Sequence, residues 1–502
     1  MSILRKLGRN IKFLGVSTVI RFAVALLLTP FIINKVGKEP YGVYLLALTF
    51  TGYFGVLDFG MLSALVKFVA ESKGANNRET LNQSVNVSFS FFFLIGLFIA
   101  LMLFIASFFI GNLFHITAEN MRLMRDILWI SAAFAVFSWV GNVFRGVMRG
   151  FQMYHLESSI NIITTLINAI LTVWLLYRGY GLIGLMLATQ LLNALSGLFC
   201  YLLTRKEIGR LKIDIFCFLR PTFRKMFGFS FYLFLTNLFV ILIFQVDYLV
   251  IGLFLNAAAI TVYSIAFSIQ QNIRTISPIL MEPTWPLSVE LEGSAHHDKQ
   301  KQLLVKGTRF STLVFVPVIL ISLIFAKPFI NNWMGPGFEE SVFPAQVLLF
   351  FWFFNAYINL GATIIIAKGF VKEIFWISAA TSVTNLFLSL MLVNVLGITG
   401  VALGTTIPMV LINFPLLLRL INKKLNIGLS EFYQSTLKPN LRTYFFTAVI
   451  SWCLLSVYYP KNLILTLVEM GIVYIIGLLF SYTFTLKAEE TQQLHKLILK
   501  PA

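Results

Sequence analysis

Apolar runs long enough to cross a lipid bilayer recur along nearly the whole of this chain. A bilayer core about 30 Å thick is spanned by roughly 20 mostly apolar helical residues. Runs of that kind fall near residues 13–33, 41–70, 85–110, 123–148, 154–176, 181–203, 226–254, 259–283, 308–330, 342–367, 373–395, 398–420, 441–459 and 463–486. The expected fold is therefore all-α and polytopic, with fourteen transmembrane helices. The second and eighth runs are unusually polar inside. Only 12% of the 502 residues are charged, about half the share of a soluble domain, which excludes a globular enzyme living in water. The basic opening "MSILRKLGRNIK" leads into a run of full spanning length without an A-x-A-like cleavage site, and reads as an uncleaved first span.

The net charge of +18 matters less than its distribution. Lys and Arg are spread over short loops, not gathered on one domain as in a nucleic-acid binder. With the N-terminus on one side and the runs alternating, thirty of the 39 Lys and Arg collect on that side and seven on the other. The remaining two, Arg21 and Arg274, lie inside spans. Cytoplasmic loops carry the excess of basic residues, so both termini are expected in the cytoplasm and the span count is expected to be even.

The chain also repeats. "GVYLLALTF" at Gly42 is echoed by "TVYSIAFSI" at Thr261, and "RGF" at Arg149–Phe151 by "KGF" at Lys368–Phe370, both at an offset of 219 residues. "GLIGLMLAT" at Gly181 is echoed by "GITGVALGT" at Gly397, at an offset of 216. Three echoes in order, each after the same span of its half, imply two six-span repeats of one orientation, related by an axis along the membrane normal. The expected division is an N-lobe over 1–213, a C-lobe over 214–425, and two further helices with a tail over 426–502.

Signals for catalysis are scarce. No G-x-x-x-x-G-K-[ST], H-E-x-x-H, G-x-S-x-G or D-x-D occurs, and no outward loop is long enough for a catalytic domain. Cys200, Cys217 and Cys453 are odd in number and lack metal-ligand spacing. No enzyme, metal or cofactor is expected.

Polarity within the spans is the remaining signal. Arg21 lies in "FLGVSTVIRFAVALLLTPFII", roughly 18 Å from its outer end at 1.5 Å per residue. Asp58 in span 2 and Arg274 in span 8 also fall near mid-depth, and Asp247 in span 7 is shallower, about 10 Å in. Span 8 aligns Ser264, Ser268, Gln271 and Thr275 on one stripe beside Arg274, with Gln270 four residues before it. Span 7 adds Asn237 and Gln245. Charged groups inside spans usually face a bundle interior or a wet cavity. Arg21, Arg274, Asp58, Gln271 and Gln270 are accordingly the candidate substrate contacts. A structural Arg21–Asp58 ion pair, or an Asp58 that satisfies backbone loosened by glycines, stands beside that reading. Asp247 and Glu157 are the candidate ion-coupling carboxylates. Arg145, Arg149, Lys67 and Lys368 are secondary cationic candidates; snorkelling or orientation explains such residues near span ends as well. Glu469 has no evident partner in the sequence.

"YGVYLLALTFTGYFGVLDFGMLSALVKFVAE" at 41–71 and "VDYLVIGLFLNAAAITVYSIA" at 246–266 resemble the polysaccharide-transporter branch of the multidrug/oligosaccharidyl-lipid/polysaccharide exporter superfamily. The resemblance implies two six-helix lobes in a V, with spans 1, 2, 7 and 8 lining a central cavity. It also implies flipping of an undecaprenyl-diphosphate-linked oligosaccharide across the bacterial inner membrane, beside a polysaccharide polymerase and glycosyltransferases. An arginine suits the diphosphate because its planar fork matches phosphate oxygens. The same superfamily offers a cation/drug antiporter, which typically uses a carboxylate in the first or seventh span, where span 1 here carries an arginine and no acid, and a peptidoglycan-precursor flippase. A non-transporting scaffold of a glycan-assembly complex is the alternative from another class.

Overall fold

A computed structural model describes residues 3–109, 114, 116–209, 219–281, 288, 297–486 and 490–491. Among them every regular element is helical. The long helices are α1 Ile3–Val36, α2 Lys38–Tyr53, α3 Met61–Gly74, α4 Arg78–Phe109, α5 Ala118–Gly150, α6 Tyr154–Tyr177, α7 Gly181–Ile208, α8 Arg220–Phe254 and α9 Ala257–Met281. They continue with α10 His297–Ile324, α11 Ala326–Met334, α12 Val342–Ala367, α13 Val371–Pro408, α14 Phe414–Lys424, α15 Lys438–Val457 and α16 Leu463–Phe480.

Ten helical stretches of the described residues are long and apolar enough to cross a membrane, so the chain is an all-α, multi-pass membrane protein. One of the ten, Val371–Lys424, has 54 residues. At about 1.5 Å per residue it rises some 80 Å, more than twice a bilayer core. It bends at Gly397, whose φ of 57° and ψ of −137° are not helical. That residue separates the two runs expected over 373–395 and 398–420. Gly181, its partner in the sequence repeat, takes a φ of 59° at the start of α7. Only glycine enters that left-handed region without a Cβ penalty, so each of the two echoed "G-[LI]-[IT]-G" segments opens on a glycine of positive φ.

Span 2 departs from its expectation. The run at 41–70 is not one helix. α2 stops at Tyr53, a 3₁₀ segment follows over Phe54–Asp58, and Phe59 (φ 47°) and Gly60 (φ 71°) are left-handed before α3 begins at Met61. A left-handed Phe costs on the order of 1–3 kcal/mol and persists only where packing over-determines it. The Phe59 ring lies 4.8 Å from that of Phe234, 6.1 Å from Phe227 and 6.5 Å from Phe91. Phe91 and Phe227 in turn pack against a buried cluster that includes Met61, Leu65, Val85, Phe92 and Val147.

The chain forms two compact units, Met1–Thr261 and Val262–Ala502, whose boundary lies inside α9. In the first, α4 packs on α5, α5 on α7, and α1 on α6. In the second, α10 packs on α12 and also takes up both C-terminal helices, α15 and α16. A buried polar network joins them: Asn440 Nδ2 donates to the Arg309 carbonyl (2.9 Å) and to Thr312 Oγ1 (3.1 Å). Arg309 in turn pairs with Glu490 at 2.6 Å.

Candidate functional site

Arg21 sits on α1 with its side chain exposed, and among the described residues no hydrogen bond or ion pair reaches it. Asp58, half-buried, does not pair with it. Its Oδ1 accepts the Leu62 N–H at 3.1 Å, one of the orphan donors in the first turn of α3. The carboxylate thus caps the helix that restarts after the break, and the alternative in which Asp58 satisfies loosened backbone describes its geometry.

Asp247 on α8 is fully buried. The helix that carries it packs against α2, the first part of the same broken span. The side chains of Asn237 and Gln245 lie outside the described residues.

In the second unit, Arg274 is half-buried and its Nη1 donates to Gln271 Oε1 at 3.4 Å. The polar stripe of α9 is partly turned on its own helix. Ser268 Oγ donates to the Ile265 carbonyl (2.9 Å), Asn272 Nδ2 to the Ser268 carbonyl (2.8 Å), and Thr275 Oγ1 to the Asn272 carbonyl (2.8 Å). Ser264 is buried. Gln270, 1% exposed, has an Oε1 without a hydrogen-bond partner.

The other candidates are engaged at span ends. Arg149 Nε donates to both Glu157 oxygens (3.1 and 2.9 Å) and its Nη2 to Oε1 at 2.6 Å. This fork joins the end of α5 to the first turn of α6, and it gives Glu157 a fixed counter-ion. Arg145 donates to Asn142 Oδ1 (3.0 Å) and to Ser196 Oγ on α7. Lys67 pairs with Glu71 at 3.8 Å on the exposed face of α3, and Lys368 Nζ donates to Gln300 Oε1 at 3.1 Å. The Arg149–Glu157 pair was missed in the sequence, although the two ends flank one tight turn.

Glu157 is 7% exposed and Arg149 39%. Because Arg149 remains partly solvated, Glu157→Gln is expected to cost about 1–3 kcal/mol rather than the full penalty of a buried unpaired ion. Arg149→Met/Glu157→Met should recover most of that loss, as thermal unfolding of the purified variants in one detergent will show.

A family model described as "Polysaccharide biosynthesis protein" matches residues 7–292. A putative O-antigen transporter of Shigella flexneri is 23% identical over 388 residues, which are 76% of this chain and 90% of that one. Among solved structures, the fold matches the lipid II flippase MurJ in an inward closed conformation, with a TM-score of 0.69 at 16% identity, over 96% of this chain and 99% of that one. It also matches an inward-facing multidrug resistance MATE family transporter of the MOP superfamily, with a TM-score of 0.64 at 15% identity, over 82% and 99%. The chain belongs to the family described as polysaccharide biosynthesis protein.

Proposed function

We propose that this protein flips an undecaprenyl-diphosphate-linked oligosaccharide repeat unit across the bacterial inner membrane by alternating access, for O-antigen, capsule or exopolysaccharide assembly. It catalyses no covalent step and needs no cofactor. The observation that carries this reading is Arg21, exposed within a spanning helix and joined to no carboxylate among the described residues. A guanidinium facing hydrocarbon at mid-span costs at least about 2.5–3.5 kcal/mol. A side chain that is neither packed inside the protein nor neutralised therefore belongs on a wet path, where its donor fork meets the diphosphate. Arg274, steadied by Gln271, is proposed to act on the same substrate, with Gln270 beside it. Asp58 fixes the break in span 2, a kind of discontinuity that accompanies binding sites in transporters. Asp247, buried on the helix that packs against that span, is the proposed ion-coupling carboxylate.

The relatives agree in class: one is named as a putative O-antigen transporter and one as a lipid II flippase. The drug-antiporter reading shares the fold, but α1 offers an arginine and no carboxylate in its described spanning part, which favours an anionic substrate. Purified protein in vesicles containing lipid-linked oligosaccharide should expose the glycan to an impermeant lectin faster than protein-free vesicles do. Asp247→Asn should lose the dependence on an imposed ion gradient while still binding substrate. Equal exposure rates with and without protein overturn the flippase reading.

Orientation is tested separately. Tyr180 and Lys206 are exposed at opposite ends of α7, and the loop charges assign Tyr180 to the outside. In a cysteine-free background, Tyr180→Cys should react with an impermeant maleimide added to intact cells and Lys206→Cys should not. The reverse pattern would place both termini outside.

A further inference from the structure

Between the C-terminal end of α4 and the first two turns of α5 lies a cavity of about 440 Å³, lined by Ser107, Phe108, Ala118, Met121, Arg122 and Arg125. The loop charges assign this end of the two helices to the outside, where only seven of the 39 Lys and Arg fall. No carboxylate is among the described lining residues; Glu119 and Asp126 are on α5 but off the lining.

The cation is held in place. The Arg125 guanidinium lies over the Trp129 ring, 5.2 Å from its centroid. Trp129 Nε1 donates to Ser107 Oγ at 2.8 Å, and its ring packs against Phe104 and Phe108. Arg125 Nε is buried and has no hydrogen-bond partner among the described residues. Simple snorkelling carries a guanidinium outward into water, where Nε would be solvated. Here the stack on Trp129 keeps the charge beside the cavity with a donor unmade. Leaving such a donor unsatisfied is unfavourable. Phe108 and Trp129 are themselves about half exposed, so the cationic pocket has an apolar rim on the outer surface of the helix pair.

We propose that this cavity binds the phosphate headgroup of an anionic membrane lipid. Two guanidiniums supply planar donor forks that match phosphate oxygens, and the aromatic rim receives the first carbons of the lipid tail. The positive end of the α5 dipole adds to the attraction. A bulk phospholipid and a polyprenyl-linked phosphate share this chemistry, and the site stands independently of the proposed substrate.

The test is native mass spectrometry of the purified full-length protein with equimolar phosphatidylglycerol and phosphatidylcholine. The expected preference for phosphatidylglycerol is about tenfold, the scale of one charge-assisted contact. Arg122→Gln/Arg125→Gln should reduce it to near parity, whereas Lys35→Gln/Arg178→Gln, removing two other outward cations, should leave it unchanged. An undiminished preference in the first variant, or an equal loss in the second, overturns the site. Arg125→Lys keeps the charge but not Nε or the flat stack, and should lower the preference about threefold; no change there overturns it as well, even if the double variant fails to fold. Repeating the measurement with undecaprenyl phosphate identifies the source. Retention above that of phosphatidylglycerol supports a site for the polyprenyl lipid, and equal retention supports one for bulk phospholipid.

Discussion

Arg21→Ala is expected to reduce surface-glycan export at least about tenfold while the protein stays in the membrane at its normal level. The first part follows from losing a charge-assisted contact to a phosphate, worth roughly 1.5–3 kcal/mol. The second follows from geometry. Arg21 is exposed and pairs with no carboxylate among the described residues, so its removal leaves none of them as an unpaired buried charge. Asp58 behaves in the opposite way. Asp58→Ala removes the acceptor of the Leu62 N–H, a cap whose loss costs about 0.5–2 kcal/mol, and should lower abundance whether or not Arg21 is present. Asp58→Asn keeps an acceptor and should restore it. An ion pair predicts another pattern: Arg21→Ala alone depletes the protein, and adding Asp58→Ala rescues both level and export. Arg21→Lys should be partly active, since an ammonium keeps the charge and loses the fork. Quantifying surface glycan per membrane protein separates these outcomes, and normal export per molecule in Arg21→Ala would remove Arg21 from the substrate path.

Gly42→Ala is expected to unfold or deplete the protein. A Cβ at Gly42 would stand 1.7 Å from the Ala257 carbonyl oxygen and 2.6 Å from its carbon. Both atoms are backbone, so no side chain can rotate away and the two helices must separate. Overpacking of this kind costs typically 1–3 kcal/mol and more where the backbone itself is displaced. The contact joins the starts of α2 and α9, the segments that echo one another in the sequence, and Thr261 Oγ1 adds a hydrogen bond to the Lys38 carbonyl there. Gly55 is the control. Nothing lies within 4 Å of a Cβ built on it, so Gly55→Ala should leave the melting temperature unchanged or slightly raised. Equal behaviour of the two variants in thermal unfolding would remove the close approach as a determinant of stability.

The sequence by itself determined whatever depends on a run of neighbours. The apolar stretches announce helices that cross a membrane, because the length of a run and the thickness of a bilayer are matched locally. The echo between Gly181 and Gly397 announces a repeat, and both glycines take a positive φ, which only glycine does without penalty. Arg21 is conspicuous in its run for the same reason, a charge judged against its immediate surroundings. Partners and interruptions were decided by the tertiary structure. The break at 54–60 follows a Leu-Asp-Phe-Gly whose glycine is visible in the sequence, but a left-handed Phe59 is tolerable only with rings from α4 and α8 around it. Asp58 turned to a backbone N–H four residues on rather than to an arginine on another helix. Glu157 found Arg149 because the α5–α6 turn brings two helix ends together, and Trp129, the ring under Arg125 one turn away on α5, is held by Ser107 of α4. Apolar periodicity decides which residues enter the membrane; which polar groups then meet is set by helix rotation and close approach, quantities that no single run of sequence contains.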